Sequence, residues 1–166
     1  MQKSGGAQVA PAQTIRPKLL LLATAAAVVL VDQASKAWAL AALGNGRRIP
    51  IIGSVFDLRL VSNPGSAFGL FKGSTLAIFI ASCVITLAVI VWAVRDPEAS
   101  PVLGLIIGGG IGNLIDRVVR PPGAGRGEVI DFIYLSFWPT FNVADAAIVV
   151  GVGAMLLFAM RENQTS

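Results

Sequence analysis

At 166 residues, 55% of them hydrophobic and only 13% charged, the chain has a mean hydropathy of +0.75, far from the profile of a soluble globular domain. A single cysteine, Cys83, and the lack of any histidine rule out an intrachain disulfide, a Ser-His-Asp triad, a Cys-His pair and a His-ligated zinc. The net charge of +4 is spread over segment flanks without aromatic interleaving, which fits flanks that meet membrane lipids and not a nucleic-acid surface.

The first apolar run starts after Lys18, reaches Val31 and continues past Asp32, Gln33 and Lys36 to Leu43, giving an expected span over 18–43. A basic flank, an apolar run and Ala37-Trp38-Ala39 also resemble a cleavable signal peptide. Cleavage there would discard Asp32 and Lys36, a costly pair to place in a disposable segment. Those two lie four apart with the acid first, the favourable order for an ion pair on one helical face, and they read as a buried brace.

Beyond this span, Val55-Phe56-Asp57-Leu58-Arg59-Leu60 alternates apolar and polar, bounded by Gly53 and Asn63-Pro64-Gly65, and predicts a short strand. Such a strand is either a small cap over a helix bundle or an edge on which an extended peptide pairs. Three further spans are expected over 74–94, 102–119 and 143–160, with Cys83 a small thiol in an apolar run. Trp38, Trp92 and Trp138 fall near span ends, as in an interfacial aromatic belt.

The expected fold is therefore an all-α membrane protein, four transmembrane helices with a small β-containing cap between the first two. An N-terminal extension (1–17) and a short tail (161–166) flank the membrane domain (18–160), with both termini on one side. With the termini inside, the inner segments hold Lys3, Arg16, Lys18, Arg95 and Arg161. The outer ones hold Arg47, Arg48, Arg59, Lys72, Arg117, Arg120 and Arg126, so a bare positive-inside count favours the opposite topology.

On the third span Gly104, Gly108 and Gly112 recur every four residues and predict a groove for another helix. Asn113, Asp116 and Arg117 follow on one helical face. After the loop Pro121 to Gly127 comes Asp131, set between Val129-Ile130 and Phe132-Ile133. The fourth span opens with Asn142 three residues before Asp145, the spacing of an N-terminal capping pair. An acid there also complements the helix dipole, whereas Asp131 has no capping role. Two neighbouring carboxylates do not both ionise easily; one keeps a proton while the other acts as a base, which suits activation of water against an amide.

Five blocks in order, Asp32-Gln33-Ala34-Ser35-Lys36, Asn63-Pro64-Gly65-Ser66-Ala67-Phe68, Gly112-Asn113-Leu114-Ile115-Asp116-Arg117, Val129-Ile130-Asp131-Phe132 and Phe141-Asn142-Val143-Ala144-Asp145, resemble the lipoprotein signal peptidases, or signal peptidase II, bacterial membrane aspartyl peptidases. The resemblance implies Asp131 and Asp145 as the catalytic dyad, Asn63, Asn113, Arg117 and Asn142 lining the site, and Asp32 and Lys36 supporting it. It implies a prolipoprotein substrate, cut just before a diacylglyceryl-modified cysteine, with no metal or cofactor, membrane lipids around a monomer, cytoplasmic termini and a site on the outer face of the bacterial inner membrane. The link from Arg117 to Asp131 is longer than is usual in the family, which leaves Asp116 as an alternative partner for Asp145.

A small transporter or proton-coupled channel is the rival reading, since it too uses intramembrane Asp, Asn and Arg. Transporters tend to carry internal repeats and midplane sites, whereas these acids gather at one membrane face. A Ser-Lys pair built from Ser35 and Lys36 fails because helix neighbours point in different directions.

Overall fold

The computed structural model describes residues 15–65, 75–96 and 99–165. Lys3, Ser66-Ala67-Phe68, Lys72, Ser74 and the extension up to residue 14 lie outside the described residues. In chain order the elements are α1 (Ile15–Leu43), β1 (Arg48–Ile52), β2 (Phe56–Asn63), α2 (Thr75–Arg95), α3 (Pro101–Val119), β3 (Val129–Leu135), β4 (Trp138–Phe141) and α4 (Val143–Thr165). All four helices are long and apolar enough to cross a membrane. Their lipid-facing sides are continuous rows of exposed Leu, Ile and Val, such as Leu19, Leu22 and Leu30 on α1 or Val84, Ile85 and Leu87 on α2.

Local chemistry sets the boundaries of α3. Ser100 accepts a hydrogen bond from the Val102 amide (3.2 Å) as N-cap, and Pro101 occupies the first helical position, where its missing N–H costs nothing. The helix stops at Arg120, ahead of Pro121-Pro122.

The bundle is organised around α3, and glycine is the reason. A Cβ on Gly108 would lie 2.6 Å from the Ala25 carbonyl oxygen, and one on Gly104 2.5 Å from that of Leu21, so the expected groove is the seat of α1. Two glycines that the four-residue spacing did not single out serve the other faces. Gly109 meets the Ala144 carbonyl of α4, and Gly110 meets Thr86 of α2. Lipid chains are as apolar as leucine, so close backbone packing takes the place of a hydrophobic driving force between the helices.

The cap is larger than the sequence suggested. The expected strand is present as β2, joined by β1 from the same connection and by the β3–β4 hairpin from the connection between α3 and α4. Together they form one antiparallel sheet in the order β1-β2-β3-β4. β2 pairs with β3 on one side and, over Phe56 to Arg59, with β1 on the other, so β1 covers only the first half of its outer edge and leaves Leu60 to Asn63 unpaired with it. Its Asp57 is fully buried between Arg59 (2.6 Å) and Arg48 (2.5 Å), and Arg59 stacks 3.5 Å above the Tyr134 ring of β3. The Arg59 hydrogen bond holds the Asp57 carboxyl below the ordinary aspartate range and, in return, raises the Arg59 guanidinium. Trp38 of α1 meets Phe132 of β3 edge to face, docking the sheet on the bundle.

Gly108→Ala is expected to lower the thermal midpoint by the equivalent of about 1–3 kcal/mol, the usual cost of overpacking, because α1 must retreat from α3. Gly153→Ala, where an added Cβ meets nothing within 4 Å, serves as the control and is expected to be neutral or to gain up to about 1 kcal/mol of helix propensity. Thermal unfolding in detergent compares the two.

Candidate active site

At the sheet end of the bundle a polar cluster is enclosed by α1, α3, α4, β2 and β3. Its base is Lys36, fully buried, whose ammonium contacts Asp32 at 2.8 Å, Asp116 at 2.7 Å and Asn113 Oδ1 at 3.1 Å. The brace expected between Asp32 and Lys36 is thus present and extends to α3. Gln33, which the sequence reading passed over, donates to Asp32, to the Gly112 carbonyl and to Asp116. Its reach across to Gly112 and Asp116 on α3 could not be seen in local spacing.

Asp32 and Asp116 each reach beyond the brace. The Ala144 amide at the start of α4 donates to Asp32 Oδ1 (3.0 Å), and the Ile130 amide of β3 donates to Asp116 Oδ2 (3.3 Å). Arg120 adds an ion pair to Asp116 at 2.7 Å. With Lys36, Arg120, Gln33 and a backbone amide around it, Asp116 is saturated as an anchor, and it does not contact Asp145.

Above this layer Asn142 joins the two candidate acids. Its side-chain amide donates to Asp131 Oδ1 (2.7 Å) and its backbone amide to Asp145 Oδ2 (3.2 Å), while its Oδ1 accepts from the Asp145 amide (3.0 Å). The last two bonds are the reciprocal capping box that the sequence predicts, so capping and alignment of Asp145 are the same interaction. Asn113 Nδ2 fixes the other oxygen, Asp145 Oδ1, at 2.8 Å.

Asp131 lies within β3, directly opposite Val61 of β2. The free oxygen of Asp131 accepts from Asn63 Nδ2 at 2.9 Å. Asn63 is aimed by its own turn: its Oδ1 accepts from the Gly65 amide at 2.8 Å, and Gly65 has φ +100°, a conformation that favours glycine. Asp131 is 1% exposed. Burial, then the nearby Asp145 charge, raise its pKa to about 7 against the opposing hydrogen bonds from Asn63 and Asn142.

Arg117 is 6% exposed and its Nη2 lies 3.2 Å from the position a Gly65 side chain would take. Among the described residues its Nη1 has no hydrogen-bond partner. All nine side chains picked out in the sequence therefore converge. Lys36, Arg117 and Arg120 supply three positive charges and Asp32, Asp116, Asp131 and Asp145 four negative ones, so the cluster is neutral when one proton resides on the Asp131–Asp145 pair.

Comparison with known proteins gives the family of the chain. A model of the family described as signal peptidase (SPase) II matches residues 24–161. The lipoprotein signal peptidase of Rhodococcus jostii is 41% identical, over 95% of this chain and 79% of that protein. The lipoprotein signal peptidase of Syntrophotalea carbinolica is 40% identical, over 87% of this chain and 92% of that protein. A solved bacterial membrane enzyme superposes with a TM-score of 0.73 at 25% identity, covering 88% of this chain and 90% of that one. Likeness of sequence and of fold coincide over most of the chain, which therefore belongs to the signal peptidase II family of membrane peptidases.

Proposed function

We propose that this chain removes the signal peptide of prolipoproteins, cutting just before a diacylglyceryl-modified cysteine, with Asp131 and Asp145 as the catalytic dyad. The observation that carries the proposal is the single residue Asn142, which holds Asp131 through its side chain and Asp145 through its backbone in a buried, charge-balanced cluster.

Both oxygens of Asp145 accept hydrogen bonds at the amino end of α4, where the helix dipole favours negative charge, so Asp145 is the general base. Asp131, with its raised pKa, carries the proton. Asp145 takes a proton from water as the oxygen attacks the scissile carbonyl, and Asp131 donates its proton toward the carbonyl oxygen. Collapse of the tetrahedral intermediate breaks the C–N bond, and the leaving amine takes up a proton held by the dyad. Arg117 Nη1, buried and without a hydrogen-bond partner among the described residues, is a donor held in reserve beside the dyad. Asn63, Asn113 and Asn142 orient the acids, and the Lys36 layer supports them from below.

The dyad lies at the sheet end of the spans, so cleavage occurs at one membrane face. We place that face outside the bacterial inner membrane, with both termini cytoplasmic and the chain acting as a monomer. Four of the six arginines that oppose this in a positive-inside count have work in the fold: Arg48 and Arg59 grip Asp57, Arg120 grips Asp116, and Arg117 is buried in the site. No feature of the cluster favours a transporter, since the acids do not line a midplane path.

Asp131→Asn and Asp145→Asn are each expected to lower cleavage of a diacylglyceryl-modified prolipoprotein in detergent by about 10²-fold or more, the scale of general acid–base catalysis, without loss of folded protein. Asp116→Asn is expected to retain part of the activity and to melt lower, because Lys36 loses a buried partner. Full activity in either dyad variant would exclude the assignment.

The pH dependence follows from Asp131. Its proton is required and is lost as pH rises through about 7, so kcat/KM is expected to be high below neutrality and to fall with a one-proton slope above it. A profile that climbs through pH 7 would reverse the acid and base roles.

A further inference from the structure

Beside the dyad the structure holds a second feature that the catalytic steps do not use. An apolar groove of about 260 Å³ lies between the β3–β4 hairpin and α4, and Asp145 forms its upper end. Leu135, Trp138 and Phe141 wall it on the hairpin side, and Ala146, Val149 and Val150 on the helix side. Every one of these except Asp145 is without charge.

The direction of the groove identifies what it takes. From Asp145 its helical wall runs through residues one, four and five positions further on, a single stripe that descends about 7.5 Å into the span at 1.5 Å per residue. Trp138, 56% exposed at the hairpin, marks the interfacial level, so the groove begins at headgroup depth and ends among hydrocarbon chains. An apolar side chain beside a scissile bond needs a niche at the level of that bond. A slot running parallel to the lipid chains, open to them along its length, fits an extended acyl chain.

We infer that this groove seats one acyl chain of the substrate's diacylglyceryl cysteine and so sets the cysteine's position against Asp145, making Val149 and Val150 specificity residues for the lipid. The inference rests on the proposed prolipoprotein substrate. Since the chain leaves one apolar medium for another, selectivity comes from packing and shape and not from transfer out of water.

The test uses the full-length protein in detergent and two lipopeptides with the same peptide, one carrying a dipalmitoylglyceryl cysteine and one a dihexanoylglyceryl cysteine. The wild type is expected to show the lower KM for the long-chain substrate. Val150→Trp and, independently, Val149→Trp are expected to raise that KM about tenfold or more, with kcat within about twofold and the short-chain substrate unaffected. Both positions are 60% exposed to lipid, so neither exchange disturbs packing elsewhere, and Leu157→Trp, at a lipid-facing site outside the groove, is the control. A wild type indifferent to chain length, or variants that keep its preference, would overturn the inference, as would an equal loss on both substrates, which would assign the groove to peptide. If the wild type cuts neither lipopeptide, the proposed substrate itself fails, and that result is obtained before any variant is made.

Discussion

The buried ammonium of Lys36 is the contact from which the rest of this molecule can be traced. A lone charge at that depth would be untenable, and its two carboxylate partners would be no better without it. Together, with the Asn113 oxygen completing the ammonium's coordination, they form a compact layer. Each partner then reaches a further element: Asp32 and Asn113 bind the first turn of α4, at Ala144 and Asp145, and Asp116 binds the start of β3. One ion cluster thus fixes the relative position of the two segments that carry the candidate acids. Removing a member would disturb Asp131 and Asp145 through these bonds.

That layer is possible because the helices approach closely enough to share it. Gly112 sits where a Cβ would come 2.6 Å from Asp32 Oδ2, so the glycine that packs α3 against α1 also leaves room for the carboxylate. The same helix begins as a packing element, with Gly104, Gly108, Gly109 and Gly110 on several faces, and ends as a polar one, with Asn113, Asp116 and Arg117 in its last two turns. Packing and chemistry are arranged along one axis. The apolar turns supply rigidity by close contact, and the polar turns use it to hold charges in fixed geometry.

Much of this was legible in the sequence, and the rest was hidden for identifiable reasons. Spans announce themselves through hydropathy, and the pairs Asp32–Lys36 and Asn142–Asp145 through spacing on a single helix. Strand partnerships are non-local and leave no such mark. β1 reads Arg-Ile-Pro-Ile-Ile, with a proline and no alternation, and β3 reads as an apolar run interrupted by one acid, because its first four residues, Asp131 included, are all buried. β2 was found by its period of two, yet its polar positions are no solvent face: Asp57 is enclosed by two arginines, one from its own strand and one from β1. The blocks of the resemblance pointed to side chains that the fold brings into one cluster, but only the folded chain shows that Asn142 contacts both acids.

The length of the link between α3 and β3 illustrates how the site is insulated from variation in its loops. Ten residues lie between Asp116 and Gly127, but the segment is tied at both ends. The Arg120 amide and side chain return to Asp116, the Gly127 amide donates to the Arg117 carbonyl, and the Ile130 amide donates to Asp116. Gly127 packs so tightly that a Cβ would lie 2.5 Å from the Arg120 carbonyl, and Gly125 rests on the Phe79 ring of α2. The entropic cost of a longer loop grows only slowly with length, so residues added between such anchors change little beyond the loop itself. Asp131 is placed by its strand pairing and by the anchor at Ile130, not by the distance the chain travels to reach it. A long link therefore gives Asp116 no access to Asp145: the carboxyl of Asp116 is committed to the very bonds that deliver Asp131.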